Sequence, residues 1–259
     1  MQNELKIALI QSDLVWENPE ENRRQFLEKI DGISDDTDIV LLPEMFTSGF
    51  TMHPENVAEA ISGKTISQLK TLAKQKNMAI VGGLVISEDN NYYNRFVFVH
   101  PDGKIDSYNK RHTFTLAGEH KAYTAGVSKT IINYRGWKIC PMICYDLRFP
   151  VWARNTEDYD LLIYVANWPK PRINAWDALL KARAIENMSY CVGVNRVGLD
   201  DNNHEYPGHS AVYDVLGEQI LDFIPNEEAV KTVNLNKGHI EHNRTKLNFL
   251  NDRDTFSIL

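Results

Sequence analysis

Apolar and polar positions follow two different periods along the chain, and together they predict a mixed α/β fold. Short continuous apolar runs between turn residues are typical of buried strands. Such runs lie at residues 5–10, 38–42, 78–86, 137–144, 160–166 and 190–196. Stretches with apolar residues on one helical face predict helices. These lie at residues 18–30, 65–76 and 175–187, and a further helix begins near 151.

The order of these elements mixes strand–helix alternation with hairpins, so it fits neither a plain parallel sheet nor an all-β fold. Hairpin turns are indicated at Pro101-Asp102-Gly103 and Arg135-Gly136. Two layers of sheet with helices outside would suit this order. No linker, repeat or change of composition divides the chain. We therefore expect one domain over residues 1–259, with residues 236–259 as a C-terminal tail that extends from it.

Two longer polar stretches are predicted to be loops. They cover residues 109–128 and 198–208. Long loops in a compact domain are often functional, so the first of them is a candidate part of a site. The strand at 78–86 carries Gly82-Gly83, where another backbone or a ligand is expected to approach closely.

Composition and charge exclude several classes of partner. The chain has 259 residues, a net charge of −7 and no block of lysine or arginine, which argues against nucleic acid and anionic membranes as partners. No apolar run approaches the roughly 18–20 residues of a membrane span. The three cysteines are an odd and low number, which argues for a reducing compartment. We expect a cytoplasmic protein.

Cys144 stands where an apolar run ends, just before Phe149-Pro150, which resembles the first turn of a helix. A thiol on a turn between a strand and a helix has free backbone N–H groups near it, and a helix N-terminus favours the thiolate. The alternative is that Cys144 is a small buried hydrophobic residue, as most free cysteines are.

Glu44 and Lys110 also follow predicted strands, whose carboxyl ends commonly form ligand crevices. The three residue types suit one reaction. A cysteine thiol needs a base or a cation to react at neutral pH. A carboxylate in a dry site can be that base, and an ammonium can hold an oxyanion. A surface carboxylate and a solvated lysine remain open alternatives.

Three segments in the same order resemble the nitrilase superfamily of carbon–nitrogen hydrolases, and most closely its bacterial ω-amidase branch. They are Leu42-Pro43-Glu44-Met45-Phe46-Thr47-Ser48-Gly49-Phe50, Tyr108-Asn109-Lys110-Arg111-His112 and Cys144-Tyr145-Asp146-Leu147-Arg148-Phe149-Pro150-Val151-Trp152. Residues 164–169, 182–187 and 195–198 add to the resemblance, which runs from residue 7 to about residue 222. It implies a four-layer αββα sandwich that pairs into a homodimer.

The resemblance also implies a mechanism. Glu44 would move protons, Cys144 would form a thioester, and Lys110 with the backbone N–H of Tyr145 would form the oxyanion hole. Glu119 would orient the lysine and the substrate, unless it is an ordinary loop carboxylate. The implied reaction is hydrolysis of the terminal amide of 2-oxoglutaramate or 2-oxosuccinamate to a 2-oxo acid and ammonia. It requires no cofactor, and the histidines show no metal-ligand spacing.

Several residues near these motifs are candidates for substrate binding. The aromatic side chains expected to form pocket walls, or else to pack the core, are Phe46, Phe50, Tyr145 and Trp168. Arg148 has two interpretations. It binds a substrate carboxylate, or it pairs with Asp146 or Glu186 to hold the turn.

Three rival functions are compared with the same residues. The same chemistry suits another carbon–nitrogen substrate, such as deaminated glutathione, an N-carbamoyl amine or a nitrile. A binding protein with this fold would lack one of the three reactive residues, and none is lacking here. A thiol redox protein needs a second cysteine nearby, whereas Cys140 on a strand would lie about 13 Å from Cys144 at the usual rise per residue.

Overall fold

The apolar runs form the strands of two sheets. The structure is a computed structural model and describes residues 2–258. Its strands, named in chain order, are β1 (Glu4–Gln11), β2 (Ile39–Leu41), β3 (Ala79–Glu88), β4 (Asn91–Val99), β5 (Ile105–Asn109), β6 (Ile132–Tyr134), β7 (Trp137–Ile143), β8 (Leu161–Ala166), β9 (Tyr190–Asn195), β10 (Val197–Leu199), β11 (Glu205–Pro207), β12 (Ala211–Tyr213), β13 (Gln219–Leu221) and β14 (Ala229–Asn236).

Six α-helices connect or cover these strands in the described part of the chain. They are α1 (Pro19–Asp31), α2 (Lys64–Lys76), α3 (Glu119–Ala122), α4 (Pro150–Ala153), α5 (Ile173–Asn187) and α6 (Lys237–Leu247). Within residues 2–258, no helix is both long enough and apolar enough to cross a bilayer.

The two large sheets have related topologies. One has the strand order β14-β1-β2-β3-β4-β5, and the other has the order β13-β12-β9-β8-β7-β6. Each contains three parallel strands, β1-β2-β3 in the first and β7-β8-β9 in the second. The remaining neighbours in both sheets are antiparallel. Each of the two sheets therefore offers the carboxyl ends of three parallel strands, where side chains of a site can be placed.

Consecutive side chains along each strand of the first sheet point to opposite faces of the sheet, as the two-residue period of a strand requires. Ile7 and Leu41 belong to the core shared with the second sheet. Their neighbours Ala8 and Val40 belong to a separate cluster with α1 and α2. The outer side of the second sheet is covered by α5, whose Trp176 and Leu180 are fully buried. The four-layer αββα sandwich predicted from the sequence is confirmed.

The stretches predicted as a loop and as a tail both contain secondary structure. The predicted loop at 198–208 contains the short hairpin β10–β11, whose three-residue strands are too brief to give a recognisable period. In the predicted tail from residue 236, α6 packs on the sandwich. Ile240 is fully buried there, and Arg244 Nε donates to the carbonyl oxygen of Met188 at 2.8 Å.

The close approach expected at Gly82-Gly83 is confirmed at Gly83. A Cβ atom on Gly83 would lie 2.8 Å from Glu44 Cα and 2.9 Å from the nitrogen of Met45. Backbone hydrogen bonds hold the same contact, since Gly83 N–H donates to the carbonyl of Pro43 and Phe46 N–H donates to the carbonyl of Gly83. Strand β3 thus fixes the backbone that carries Glu44.

We predict that Gly83→Ala lowers the free energy of unfolding by about 1–3 kcal/mol, because the new methyl group must displace backbone rather than a flexible side chain. Urea unfolding followed by circular dichroism measures the change. Gly32→Ala is the control, since its Cβ would meet no atom closer than 3.6 Å. Equal stability of the two variants would contradict the prediction.

Candidate active site

The structure brings Glu44, Lys110 and Cys144 together at one end of the sandwich. Each follows the end of a strand, β2, β5 and β7 respectively. Lys110 Nζ lies 2.9 Å from Glu44 Oε1, and both side chains are almost completely buried. Cys144 and Glu44 share a neighbour, because the thiol lies 3.9 Å from the carbonyl oxygen of Asn167 and the N–H of Asn167 donates to Glu44 Oε2 at 2.8 Å.

Lys110 is held between two carboxylates. Its Nζ lies 3.0 and 2.9 Å from the two carboxylate oxygens of Glu119, which is fully buried at the start of α3. Burial alone disfavours the ammonium, but Glu119 and Glu44 outweigh this effect and raise the pKa of Lys110. Burial also raises the pKa of Glu119, although both of its oxygens accept hydrogen bonds. The lysine therefore carries a positive charge that is fixed in position.

Two asparagines that the sequence analysis did not single out complete this network. Asn94 Nδ2 donates to Glu44 at 2.7 Å and to Glu119 at 2.9 Å. Asn167 donates from its side chain to the backbone carbonyl of Glu44 at 2.6 Å. Asn167 lies within a segment of the family resemblance, whereas Asn94 is an ordinary polar residue in a strand and gave no signal. Together they orient Glu44 from both sides.

Cys144 lies on a strained turn. Its φ angle is +43°, in the left-handed region that non-glycine residues rarely occupy and that is often found at functional sites. A 3-10 turn begins at Cys144 and runs to Arg148. The first N–H groups of such a turn have no acceptor within it, and the N–H of Tyr145 is one of them. The turn therefore presents the sulfur and a backbone donor side by side.

The surroundings of Cys144 oppose the thiolate that the turn is expected to favour. Burial raises the pKa of the Cys144 thiol well above its ordinary value, and the Glu44 carboxylate adds to this increase. The Lys110 ammonium lowers this pKa, but burial and the Glu44 carboxylate outweigh its effect. A thiol with a raised pKa needs a base when it reacts.

Cys144 and Lys110 line a cavity of about 540 Å³. Phe50, Tyr145, Trp168 and Arg148 also line it, so the structure places these four predicted residues at the cavity. Lys110 Nζ lies 5.2 Å from the centre of the Phe50 ring.

Phe46 does not line the cavity, and its assignment as a pocket wall was wrong. It is 1% exposed and packs edge-on against Phe26 of α1, with ring centres 5.2 Å apart. It therefore belongs to the core between the first sheet and its helices. The position of Phe46 in the sequence, two residues after Glu44, does not indicate which way its ring points.

Arg148 does not pair with Asp146 or Glu186 in the described part of the chain. Its guanidinium lies 5.0 Å from the ring centre of Trp168, at the cavity. Asp146 instead accepts a hydrogen bond from Tyr108, and Glu186 pairs with Arg183. The interpretation of Arg148 as a brace for the turn was therefore wrong, and its charge is available to a ligand.

Arg172 is a second cavity residue that the sequence analysis missed. Its guanidinium lies 5.0 Å from the ring centre of Phe114 and forms no ion pair within residues 2–258. An arginine just before a predicted helix looks like any solvated residue, so the sequence carried no signal for it.

Two carboxylates also line the cavity, and neither pairs with a lysine or arginine in the described residues. Glu17 accepts a hydrogen bond from Asn56 at 3.2 Å. Asp200 accepts one from Tyr206 at 2.9 Å and lies 3.3 Å from His204 Nδ1. These contacts leave both cavity arginines free of a carboxylate partner in the described residues. The cavity therefore offers two guanidinium groups to a ligand.

The cysteines of this chain are all free. Cys140 and Cys191 are fully buried in strands β7 and β9, where burial raises the pKa of Cys140 to about 12. In the described residues, no cluster of three or more histidine, cysteine, aspartate or glutamate side chains has the arrangement of a metal site.

Comparison with known proteins places this geometry in a family. Residues 6–244 match the carbon-nitrogen hydrolase family. An omega-amidase of Yersinia enterocolitica, YafV, is 43% identical over 257 residues, which cover 98% of this chain and 99% of that protein. A 2-oxoglutaramate amidase of Bacillus subtilis is 33% identical over 221 residues, which cover 83% of this chain and 85% of that protein.

A solved structure has the same architecture. It is a CN-hydrolase superfamily protein of Xanthomonas campestris with an arsenic adduct in its active site. It is 37% identical, superposes with a TM-score of 0.96, and the match covers 99% of this chain and 100% of that one. The chain belongs to the carbon–nitrogen hydrolase family, and within this nitrilase superfamily it belongs to the ω-amidase branch.

Proposed function

We propose that this protein is an ω-amidase that hydrolyses the terminal amide of 2-oxoglutaramate and 2-oxosuccinamate to the 2-oxo acid and ammonia. The observation that carries the proposal is the Lys110 ammonium, buried between Glu44 and Glu119 beside the Cys144 thiol. The names of the Yersinia and Bacillus relatives support the substrate class.

The first half of the reaction forms a thioester on Cys144. Because the thiol has a raised pKa, Glu44 takes its proton as the sulfur attacks the amide carbonyl. Lys110 and the backbone N–H of Tyr145 bind the oxyanion that develops. Glu44 then passes the proton to the amide nitrogen, the carbon–nitrogen bond breaks, and ammonia leaves.

The second half releases the acid. Glu44 takes a proton from water, and the hydroxyl oxygen attacks the thioester carbonyl. The intermediate collapses by breaking the carbon–sulfur bond, and the proton returns to the sulfur. Glu119 keeps Lys110 charged and in place through both halves, a role that its two contacts of 3.0 and 2.9 Å support. The route uses side chains, one backbone N–H and water.

Arg148 and Arg172 would bind the carboxylate at the other end of the substrate. The proposed substrates are anions, and the protein carries a net charge of −7, so a local positive group is required. Two cavity guanidinium groups without carboxylate partners in the described residues supply it. A cavity of about 540 Å³ is within the range typical of small-molecule sites.

We further propose that the enzyme acts in the cytoplasm as a homodimer of one catalytic domain per chain. Three free cysteines and a mechanism that needs a reduced thiol support a reducing compartment. Val151 on α4, Ile185 on α5 and Leu216 are large apolar residues with 41–55% of their surface exposed, and exposed apolar side chains of this kind support a contact between two chains.

We predict that Cys144→Ala lowers ammonia release from 2-oxoglutaramate by at least about 10⁴-fold, because the variant has no atom that can form the thioester. Ammonia is measured with a coupled dehydrogenase assay. Cys191→Ala is the control, because this thiol is buried in β9 away from the cavity. If Cys144→Ala keeps a tenth or more of the wild-type rate, the nucleophile is wrongly assigned.

We predict that Arg148→Gln and Arg172→Gln each lower kcat/KM for 2-oxoglutaramate by about 10- to 100-fold, the effect of losing a hydrogen bond to a charged group. The rate with propanamide, which is neutral, should change little. Lys170→Gln is the control, since Lys170 pairs with Glu205 at 2.7 Å near the same turn and does not line the cavity. Equal losses with the charged and the neutral amide would contradict the assignment.

A further inference from the structure

The Asp146 carboxylate, two residues after the proposed nucleophile, is fully buried and accepts four hydrogen bonds. Oδ2 accepts from the hydroxyl of Tyr108 at 2.8 Å and from the N–H of Ile143 at 3.1 Å. Oδ1 accepts from the backbone N–H of His112 at 3.0 Å and from His112 Nδ1 at 2.8 Å. The mechanism proposed above makes no use of this group.

The four donors come from both sides of the proposed oxyanion hole. Tyr108 and His112 stand two residues before and two residues after Lys110. Ile143 directly precedes Cys144, and Asp146 itself follows Tyr145. One carboxylate therefore joins the segment that carries the ammonium to the turn that carries the sulfur and the backbone N–H.

Neighbouring side chains hold the hydrogen-bond donors of Asp146 in place. The Tyr108 hydroxyl also accepts from Trp152 Nε1 at 2.9 Å, and burial together with the Asp146 carboxylate raises the pKa of Tyr108, so the hydroxyl stays a donor. The ring of His112 stacks on Phe149 with 3.7 Å between centres and 5° between planes. These contacts hold the Asp146 side chain in one conformation.

We propose that Asp146 is a positioning residue that sets the Lys110 ammonium and the Tyr145 N–H at the separation needed to bind one oxyanion. The inference rests on the proposed acyl-transfer function. Asp146 acts through these two groups and does not touch the substrate. An asparagine in its place presents N–H groups where one oxygen now accepts, so at least one donor loses its partner. A displacement of about 1 Å in such a site costs about 100-fold in rate.

The test compares two reactions at the same sulfur. p-Nitrophenyl acetate transfers its acetyl group to Cys144 through an oxyanion and releases p-nitrophenolate. Iodoacetamide alkylates the sulfur by direct displacement of iodide, and no oxyanion forms. For Asp146→Asn we expect acetyl transfer to slow by about 10- to 100-fold. In both reactions Glu44 takes the proton of the thiol. Alkylation should slow by less than about threefold, because it forms no oxyanion for Lys110 and the Tyr145 N–H to bind.

Two further variants complete the experiment. Tyr108→Phe removes one of the four donors and should show the same pattern with a smaller loss, which keeps the inference testable if Asp146→Asn does not fold. Asp160→Asn is the control. Asp160 is a buried carboxylate directly before β8, whereas Asn167 of the site directly follows this strand. Asp160 accepts a hydrogen bond from the N–H of Lys138 at 2.9 Å and pairs with Lys237 at 3.1 Å. Both rates should stay unchanged in this variant.

A parallel fall of both rates in Asp146→Asn or Tyr108→Phe would show a general structural role and overturn the inference, as would two unchanged rates. The comparison needs no amide substrate. Failure of the wild-type protein to release ammonia from 2-oxoglutaramate would therefore reject the proposed function without deciding the role of Asp146.

Discussion

The ion-pair network of Lys110 with Glu44 and Glu119 is the interaction on which the rest of the site depends. All three groups are removed from water, and a buried charge without its partner costs several kcal/mol, so none of them can be lost alone. Burial raises the pKa of the nearby Cys144 thiol, and the two carboxylates that surround the single ammonium add to this increase. The arrangement therefore calls for Glu44 to take the thiol proton when a substrate carbonyl carbon is within reach.

The sandwich supplies the framework for this network. Glu44 and Lys110 come from strands of the first sheet, whereas Cys144 and Asn167 come from strands of the second. The site therefore forms where the two sheets meet, and contacts such as Asn167 with Glu44 fix one sheet against the other. Because Gly83 has no side chain, the loop that carries Glu44 packs directly against β3. The first sheet thereby fixes the position of the Glu44 backbone in the site.

Much of this could be predicted from the sequence, because apolar runs, helical periodicity and the motifs around Glu44, Lys110 and Cys144 are local signals. What could not be predicted depends on contacts between distant segments. The direction of the Phe46 ring, the pairing of Arg148 and the position of Arg172 follow from tertiary packing. The raised pKa of Cys144 required knowledge of burial and of every neighbouring charge, which no local motif contains.

Intact-mass analysis of the protein quenched during turnover of 2-oxoglutaramate, followed by peptide mapping, tests most directly whether Cys144 forms a thioester. We expect a 2-oxoglutaryl group on Cys144, joined with loss of ammonia and removed again by water. Ammonia release with no covalent adduct in the quenched protein, or an adduct on another residue, would contradict catalysis by the Cys144 thioester.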